Sequence, residues 1–165
     1  MTRIPLDNDN DTRQVGSSAC FICEIVSGDA AREMEQVLAE DDENIAFLTR
    51  SPALTGTVLV APKHHHEHVV RDLCESAYLN LMSLVYRVAQ AVETVVPTER
   101  MYLLSLGSQQ QDPHIHWQIA PLPPGVPYSD QQHHILSPGN SAVPWTYERA
   151  VELADQIRAA LARPQ

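Results

Sequence analysis

The chain is poor in basic residues and has no long apolar run. Eleven Lys and Arg residues stand against 21 Asp and Glu residues among 165, so the net charge is −10. That charge repels DNA and RNA, so we expect no nucleic acid polymer as a partner, although local donors or a metal can still hold a small nucleotide. No apolar run approaches the roughly 20 residues of a membrane span, and residues 1–18 lack the apolar stretch of a signal peptide. We therefore expect a cytoplasmic protein without a membrane partner.

Cysteine is scarce too. Three cysteines in a chain without an export signal argue against a disulfide framework. A length of 165 residues suits one domain with one core. Residues 1–17 are polar, with few apolar anchors, so we expect them to form a flexible tail and residues 18–165 to form the folded domain.

The apolar patterns predict an α+β domain, in which helices pack on an antiparallel sheet. Strands are expected at 36–40, 45–49, 57–61, 101–106 and 114–121, the first two joined by a hairpin turn at 41–44. An apolar stripe predicts a long helix over 73–96, with Asp72 and Glu75 as a capping box at its start. A last helix is predicted over 147–163, and residues 121–144, rich in proline, are expected to be an irregular loop.

Histidine is the informative residue type, because all eight histidines fall in three tight groups. They are His64, His65, His66 and His68, then His114 and His116, then His133 and His134. Clustering favours metal or phosphate chemistry, although short histidine runs also occur in loops without a role.

The second group carries the strongest functional signal. If residues 114–119 form a strand, His114, His116 and Gln118 share one face, while Ile115 and the other intervening residues enter the core. A neutral imidazole can attack phosphorus, and a neighbouring amide can hydrogen-bond the phosphate oxygens. A solvated strand face with two exposed histidines would have the same pattern, so the spacing alone leaves both interpretations open.

Three segments in order resemble the histidine triad (HIT) family. They are Asp112-Pro113-His114-Ile115-His116-Trp117-Gln118-Ile119-Ala120-Pro121, the opening Cys20-Phe21-Ile22-Cys23-Glu24-Ile25-Val26-Ser27-Gly28-Asp29, and the central Gly56-Thr57-Val58-Leu59-Val60-Ala61-Pro62-Lys63-His64-His65. The resemblance covers about residues 20–121. It implies a HIT-like sheet, a homodimer and a nucleotide-binding cleft.

The resemblance also implies a reaction through a covalent nucleotidyl-histidine intermediate. The middle triad position, His116, is then the nucleophile. The third position is Gln118 where HIT hydrolases have histidine, which is similar to the galactose-1-phosphate uridylyltransferase and dinucleoside-polyphosphate phosphorylase branches. The expected substrates are dinucleoside polyphosphates, nucleoside phosphoramidates or nucleotide sugars, and the product-forming step is hydrolysis or transfer.

The same resemblance implies four substrate-binding positions, Phe47, Thr49, Gln110 and Gln111. Thr49 stands where many members have an acidic residue for the ribose, and Gln110 stands where the family has its phosphate-loop glutamine. Thr57 stands where many members have histidine. The glutamine run can donate to phosphate, but it is equally typical of an ordinary polar loop.

A zinc site is expected near the first triad histidine. Cys20 and Cys23 form a Cys-x-x-Cys pair that can hold a tetrahedral Zn²⁺ if two further ligands are available. Some HIT proteins with this opening use the histidine after Pro-Lys-x and the first triad histidine, which are His65 and His114 here. The alternatives are a redox pair or two buried thiols without metal, and the other histidines of the first group compete with His65 as donors.

The remaining candidates have plainer interpretations. Cys74 is expected to be a packed thiol, and His133 and His134 are expected to be solvated, unless the loop that carries them closes over the cleft. Two functions compete with catalysis, a non-catalytic nucleotide-binding module and a zinc-stabilised interaction protein.

Overall fold

A five-stranded antiparallel sheet organises the protein. The computed structural model describes residues 20–28, 35–49, 52, 54–106, 113–136 and 145–163. Its strands are β1 (Gln36–Glu40), β2 (Asn44–Leu48), β3 (Val58–Pro62), β4 (Arg100–Leu104) and β5 (Trp117–Leu122). Its helices in the described ranges are α1 (Phe21–Ser27), α2 (Val69–Asp72), α3 (Glu75–Val95), α4 (Gln131–Leu136) and α5 (Tyr147–Leu161). The strands lie in the order β1-β2-β3-β5-β4, which confirms the predicted α+β class.

The predicted hairpin at the start of the sheet is confirmed. Strands β1 and β2 pair antiparallel, and Glu40 lies opposite Ile45. The carboxylate of Asp41 accepts hydrogen bonds from the backbone N–H groups of Glu43 (2.9 Å) and Asn44 (2.7 Å). An aspartate that bonds to the backbone two residues ahead stabilises a turn, which explains the reversal at this point.

One face of the sheet is covered by α3 and α5. The apolar stripe of α3 is buried against the sheet together with residues of α5. The buried residues of these two helices include Leu81, Leu84, Val85, Val88, Val92, Ala154 and Ile157. The predicted long helix is therefore confirmed, and this face contains the main core.

The predicted start of that helix is wrong. Helix α3 begins at Glu75 after Cys74, which makes no side-chain cap, and Asp72 belongs to the short α2. The carboxylate of Asp72 accepts from the backbone N–H groups of Glu67 (3.0 Å) and His68 (2.9 Å) instead. Asp72 therefore stabilises the histidine-rich segment that precedes α2, and it does not form the capping box.

The opposite face of the sheet has two smaller clusters. Under α1, Ile22 and Ile25 pack on residues of β2 and β3. Under α4, Ile135 packs with Leu54, Ala120 and Leu122. Gln118 of β5 lies between these clusters, because its register partners are Leu59 of β3 and Leu104 of β4.

The proline-rich stretch is more regular than predicted. Strand β5 continues to Leu122, and α4 occupies 131–136, so an irregular loop over all of 121–144 is wrong. The last helix is confirmed and ends at Leu161. The tail predicted at 1–17 lies outside the described residues. None of the described helices combines the length and apolar character needed to cross a membrane.

Candidate functional site

His114 and His116, in the segment 112–121 that resembles the triad, precede strand β5. The strand begins at Trp117, so the prediction that it starts at His114 is wrong. The backbone N–H of Ile115 donates to the carbonyl of His66 (2.8 Å), which ties this segment to the loop after β3. Ile115, Trp117 and Ile119 are buried in the main core, as the alternating pattern predicts.

His114 is completely buried, so it does not share an exposed face with His116. Its Nε2 lies 2.8 Å from the carbonyl oxygen of Pro62. Because a carbonyl can only accept, Nε2 carries the proton and Nδ1 keeps its lone pair. Nδ1 faces the two thiols, 3.3 Å from Sγ of Cys20 and 3.6 Å from Sγ of Cys23.

Cys20 and Cys23 are placed by the start of helix α1. Cys20 is the N-cap residue, and its Sγ accepts from the backbone N–H of Cys23 at 3.4 Å. The first turn of the helix therefore presents both sulfur atoms to the end of β3 and the start of β5. This spacing is what the Cys-x-x-Cys motif needs to bind one ion with both thiolates.

His65 completes a four-ligand group. Its Nδ1 lies 3.4 Å from Sγ of Cys23, and its Nε2 lies 3.6 Å from a carboxylate oxygen of Glu67. The ring centroids of His65 and His114 are 4.8 Å apart. The ligand atoms of Cys20, Cys23, His65 and His114 all lie within 4.8 Å of one another.

The three sulfur–nitrogen distances, 3.3, 3.4 and 3.6 Å, fit a tetrahedral zinc ion. Bonds of about 2.3 Å to sulfur and 2.0 Å to nitrogen place tetrahedral ligand atoms roughly 3.3–3.8 Å apart, close to the observed sulfur–nitrogen distances. Both imidazoles direct Nδ1 at the thiols and Nε2 at an oxygen, the arrangement usual for metal-bound histidine. His64, His66 and His68 do not belong to the group found in the described residues.

His116 follows directly and has a defined orientation. Its half-buried ring lies with Nδ1 2.9 Å from the carbonyl oxygen of His114, to which it donates. The other ring nitrogen, Nε2, therefore carries the lone pair. Because His114 also belongs to the four-ligand group, the backbone that orients His116 is held by the candidate metal centre.

The profile of the HIT domain family matches residues 31–123, more than half of the chain. The chain belongs to the HIT family. An adenosine 5'-monophosphoramidase of Schizosaccharomyces pombe is 31% identical over 107 residues, which are 64% of this chain and 75% of the relative.

Solved HIT structures share the fold. A hypothetical histidine triad nucleotide-binding protein from Sulfolobus tokodaii superimposes with a TM-score of 0.69 at 24% identity, covering 86% of this chain and 91% of that one. A zinc-bound histidine triad family protein from Mycobacterium smegmatis gives a TM-score of 0.64 at 24% identity, covering 87% and 94%.

The four residues expected to bind substrate differ in their exposure in this HIT protein, and two of them lie outside the described residues. Phe47 is completely buried, and its ring packs edge-on against Phe21 with centroids 6.2 Å apart. Its ring therefore packs inside the protein in this structure, and its role in substrate binding stays a prediction. Thr49 is half-buried at the end of β2, and its N–H donates to the carbonyl of Thr57. Gln110 and Gln111 lie outside the described residues.

Two further predictions can be compared with the structure. Cys74 is exposed, so the expectation of a packed thiol is wrong. Hydrogen bonds from the Ser76 hydroxyl and from the backbone N–H of Ala77 lower the pKa of the Cys74 thiol. His133 is exposed on α4, as expected for a solvated histidine, and the side chain of His134 is outside the description.

Two groups were missed by the sequence analysis, the carbonyl of Pro62 and the carboxylate of Glu67. Both hold the outer nitrogens of the two histidine ligands. The spacing gave a usable signal for Glu67, because a carboxylate two residues after a candidate ligand can reach its ring. No sequence signal identifies the carbonyl of Pro62, because every residue has a backbone carbonyl and the residue type does not show which one accepts a hydrogen bond.

Proposed function

We propose that this HIT protein is a nucleotidyl hydrolase or transferase whose nucleophile is His116. The main support for this proposal is the hydrogen bond from Nδ1 of His116 to the His114 carbonyl (2.9 Å), which leaves Nε2 with its lone pair. A nucleophilic nitrogen must be unprotonated and aimed by its partner nitrogen. The naming of the S. pombe relative as a phosphoramidase supports action on a nucleoside phosphate.

The proposed reaction has two displacements. Nε2 of His116 attacks the α-phosphorus, a P–N bond forms, and the bond to the leaving group breaks with its electron pair on the leaving atom. Water or a phosphate acceptor then attacks the same phosphorus, a P–O bond forms, and the P–N bond breaks with its electron pair on Nε2; an attacking water releases its proton to the solvent. Gln118 donates an amide N–H to a non-bridging oxygen as negative charge builds, and Gln110, Gln111 and Thr49 are the further proposed substrate contacts.

Zinc is the proposed cofactor. Cys20, Cys23, His65 and His114 have the donor chemistry and separations for it, with both histidines held from outside by oxygen atoms. When bound, zinc supplies a structural link among α1, the loop after β3 and the start of β5. The zinc-bound M. smegmatis neighbour is consistent with this assignment.

The nucleophile is tested by trapping. The protein is mixed with a labelled adenosine phosphoramidate or dinucleoside polyphosphate, quenched, and analysed as intact protein by mass spectrometry. Since the covalent path needs the ring, we expect His116→Ala to lose both the adduct and at least about three orders of magnitude in turnover. The control is His64→Ala, an exposed histidine outside the four-ligand group, which should behave as wild type.

Wild-type turnover in His116→Ala would overturn the proposed nucleophile. A nucleotide-induced thermal shift without adduct or turnover in the wild-type protein would identify a binding module. The absence of both a thermal shift and an adduct with every nucleotide tested would favour an interaction protein.

The side chain of Gln118 should determine whether the intermediate is hydrolysed or transferred to an acceptor. An amide can orient phosphate but cannot become a cation or protonate a leaving group, as histidine can. We therefore propose that the nucleotidyl-His116 state decays slowly in buffer and faster with phosphate or a sugar phosphate. Gln118→His should shorten its lifetime in water. Decay in plain buffer at the steady-state turnover rate, with no acceptor effect, would make the protein a hydrolase.

We also propose a cytoplasmic homodimer. Strand β4 is an edge of the sheet, and Leu103 on it and Leu106 beyond it are 49% and 68% exposed. An exposed edge with apolar side chains is a surface that a second copy can cover. Light scattering after size exclusion tests the assembly, and Leu103→Glu should shift it toward the monomer.

A further inference from the structure

A cavity of about 750 Å³ is lined by residues of β1, of α3 and of the end of α5. Strands β1 and β4 are opposite edges of the sheet, so the edge proposed for the homodimer is on the other side of the molecule. Three strand spacings of about 4.8 Å separate β1 from β5, roughly 14 Å in all. The lining residue Leu38 belongs to the main core under α3 and α5, whereas Gln118 lies beside Leu59 on the opposite face of the sheet. The cavity is therefore distinct from the proposed nucleotide site.

The apolar part of the lining is aliphatic. Leu38 of β1 and Leu84 and Ala91 of α3 are buried, and Leu161 at the end of α5 is half-buried. The described residues that line the cavity include no aromatic side chain. Aliphatic surface attracts an apolar group without fixing its orientation, because the hydrophobic effect is non-directional. This part of the cavity therefore suits an alkyl chain, and the volume lies within the range of small-molecule sites, about 300–1,000 Å³.

The charged part of the lining is positive. Arg87, Arg158 and Arg163 all line the cavity, although the whole chain has only 11 Lys and Arg residues and a net charge of −10. The described lining residues include no Asp or Glu. A local concentration of one sign of charge attracts a ligand of the opposite sign, even where the net charge of the protein opposes it. The cavity therefore favours an anion.

The three arginines differ in their partners. Arg158 is held in place, since its Nε donates to the carbonyl of Val37 (2.8 Å) and a terminal nitrogen pairs with the carboxylate of Asp155 (2.8 Å). These bonds tie α5 to β1 and fix one wall of the cavity. Arg87 and Arg163 are exposed, and neither forms an ion pair with another described residue. A guanidinium with free donors binds carboxylate or phosphate in a bidentate way, so these two arginines are the candidate anion ligands.

The end of α5 opposes an anion only weakly. A helix C-terminus carries about half of a negative elementary charge, whereas Arg87 and Arg163 each carry a full positive charge. The backbone N–H groups of Ala162 and Arg163 also donate to the carbonyls of Arg158 (3.1 Å) and Ala160 (3.3 Å), so two carbonyls of the last turn are already satisfied. The cavity therefore stays positive beside its aliphatic surface. We propose that it binds a small amphipathic anion, an alkyl chain that carries a carboxylate or a phosphate.

The test uses calorimetric titrations of the whole protein with octanoate, octyl phosphate, inorganic phosphate and the uncharged octanol, all below micelle-forming concentrations. We expect octanoate or octyl phosphate to bind more tightly than inorganic phosphate or octanol, and the comparison of the two identifies the preferred oxyanion. Hexanoate, with two methylenes fewer than octanoate, should bind about tenfold more weakly. Arg87→Gln and Arg163→Gln should each weaken binding of the alkyl anions about tenfold, since a charge-assisted hydrogen bond is lost, and should leave octanol binding unchanged.

The matched control is Arg149→Gln, an exposed arginine at the start of α5, about 14 Å along the helix from Arg158. It removes the same charge from the chain and should bind the alkyl anions like wild type. Because Arg87 and Arg163 are exposed, their variants should keep the wild-type melting temperature. The proposal is overturned if no alkyl anion binds, if both Arg87→Gln and Arg163→Gln leave affinity unchanged, or if Arg149→Gln weakens it equally. Octanol or inorganic phosphate that binds as tightly as the alkyl anions would also overturn it.

Discussion

The two ends of strand β5 are held together by different chemistry. At its start, Cys20, Cys23, His65 and His114 come from three separate segments and meet through their metal-binding atoms. At its far end, Glu99 and Gln131 join β4 to α4 by hydrogen bonds between complementary donors and acceptors. The first end has four side chains that could hold a metal ion, whereas the second is held by hydrogen bonds between its own side chains and backbone.

Because of this difference, changes at the first end should affect both stability and the proposed nucleophile, whereas changes at the second should affect stability alone. The end with the four-ligand group adjoins His116, so an event that disturbs the metal should also disturb the proposed nucleophile. The Glu99–Gln131 end is held by hydrogen bonds that involve no member of the four-ligand group, so it should not respond to metal. Variants at the two ends can therefore be compared in the same assays, with and without a chelator.

The largest effect on stability is expected at the metal end. Cys23→Ser removes one of four ligands, so the protein should bind zinc more weakly and melt about 10 °C lower or more, because structural zinc contributes directly to folding. Elemental analysis and thermal denaturation measure the two quantities. Cys74→Ser is the matched control, since this exposed thiol lies outside the four-ligand group.

A chelator should give the same result in the wild-type protein. Alkylation then provides an independent readout. Cys74 should react in the metal-loaded protein, and Cys20 and Cys23 should react only after chelation. Absence of zinc after reconstitution, together with an unchanged melting temperature in Cys23→Ser, would contradict the site.

A smaller effect is expected at the far end. Gln131→Ala removes a buried amide that bonds to Glu99, Val126 and Tyr102, so three partly buried hydrogen bonds are lost at a cost of about 2 kcal/mol, or roughly 4–8 °C. The loss should be equal with and without chelator. Gln132→Ala, an exposed neighbour, should change little. A loss in Gln131→Ala that depends on metal would show that the two ends are coupled.

The sequence predicted more of the metal end than of the far end. Cysteine and histidine carry their chemistry in their residue types, so their spacing and the family resemblance together located all four candidate ligands. Glu99 and Gln131 are ordinary polar residues, and Gly125 contributes only its backbone N–H; these groups are remote in sequence, and no pattern links them. Helix α4 was missed because six residues within a proline-rich stretch are too few to show a helical stripe.

The same reasoning explains the errors near the histidines. The alternation of residues 114–119 predicted the burial of Ile115, Trp117 and Ile119, but it also placed His114 in the strand. Tertiary contacts decided otherwise, because the Ile115 N–H bonds to the His66 carbonyl and His114 bonds to the Pro62 carbonyl. The capping box failed for a similar reason, since the Asp72 carboxylate had better donors in Glu67 and His68.

The smallest effect is expected from Asp72, which connects the metal end to α2. Backbone N–H groups of His68 and Glu67 hold the pKa of this exposed carboxyl below its usual value of 3.8. A lowered pKa in the folded state means that the charged form stabilises the fold above pH 3.8, and that this contribution is lost as the pH falls through the folded-state value. Asp72→Asn should therefore melt slightly below wild type at pH 7, and the difference should vanish in strong acid.

Zinc retention supplies the second readout for Asp72. Its carboxylate supports the segment that carries His65, so zinc should dissociate somewhat faster from Asp72→Asn at neutral pH. Asp42→Asn, an exposed aspartate in the hairpin turn, is the matched control and should match wild type in both measurements. An Asp72→Asn protein that melts lower by the same amount at all pH values would show that the carboxylate charge is not the cause. Unchanged zinc dissociation would show that Asp72 stabilises only the segment before α2 and does not affect metal binding.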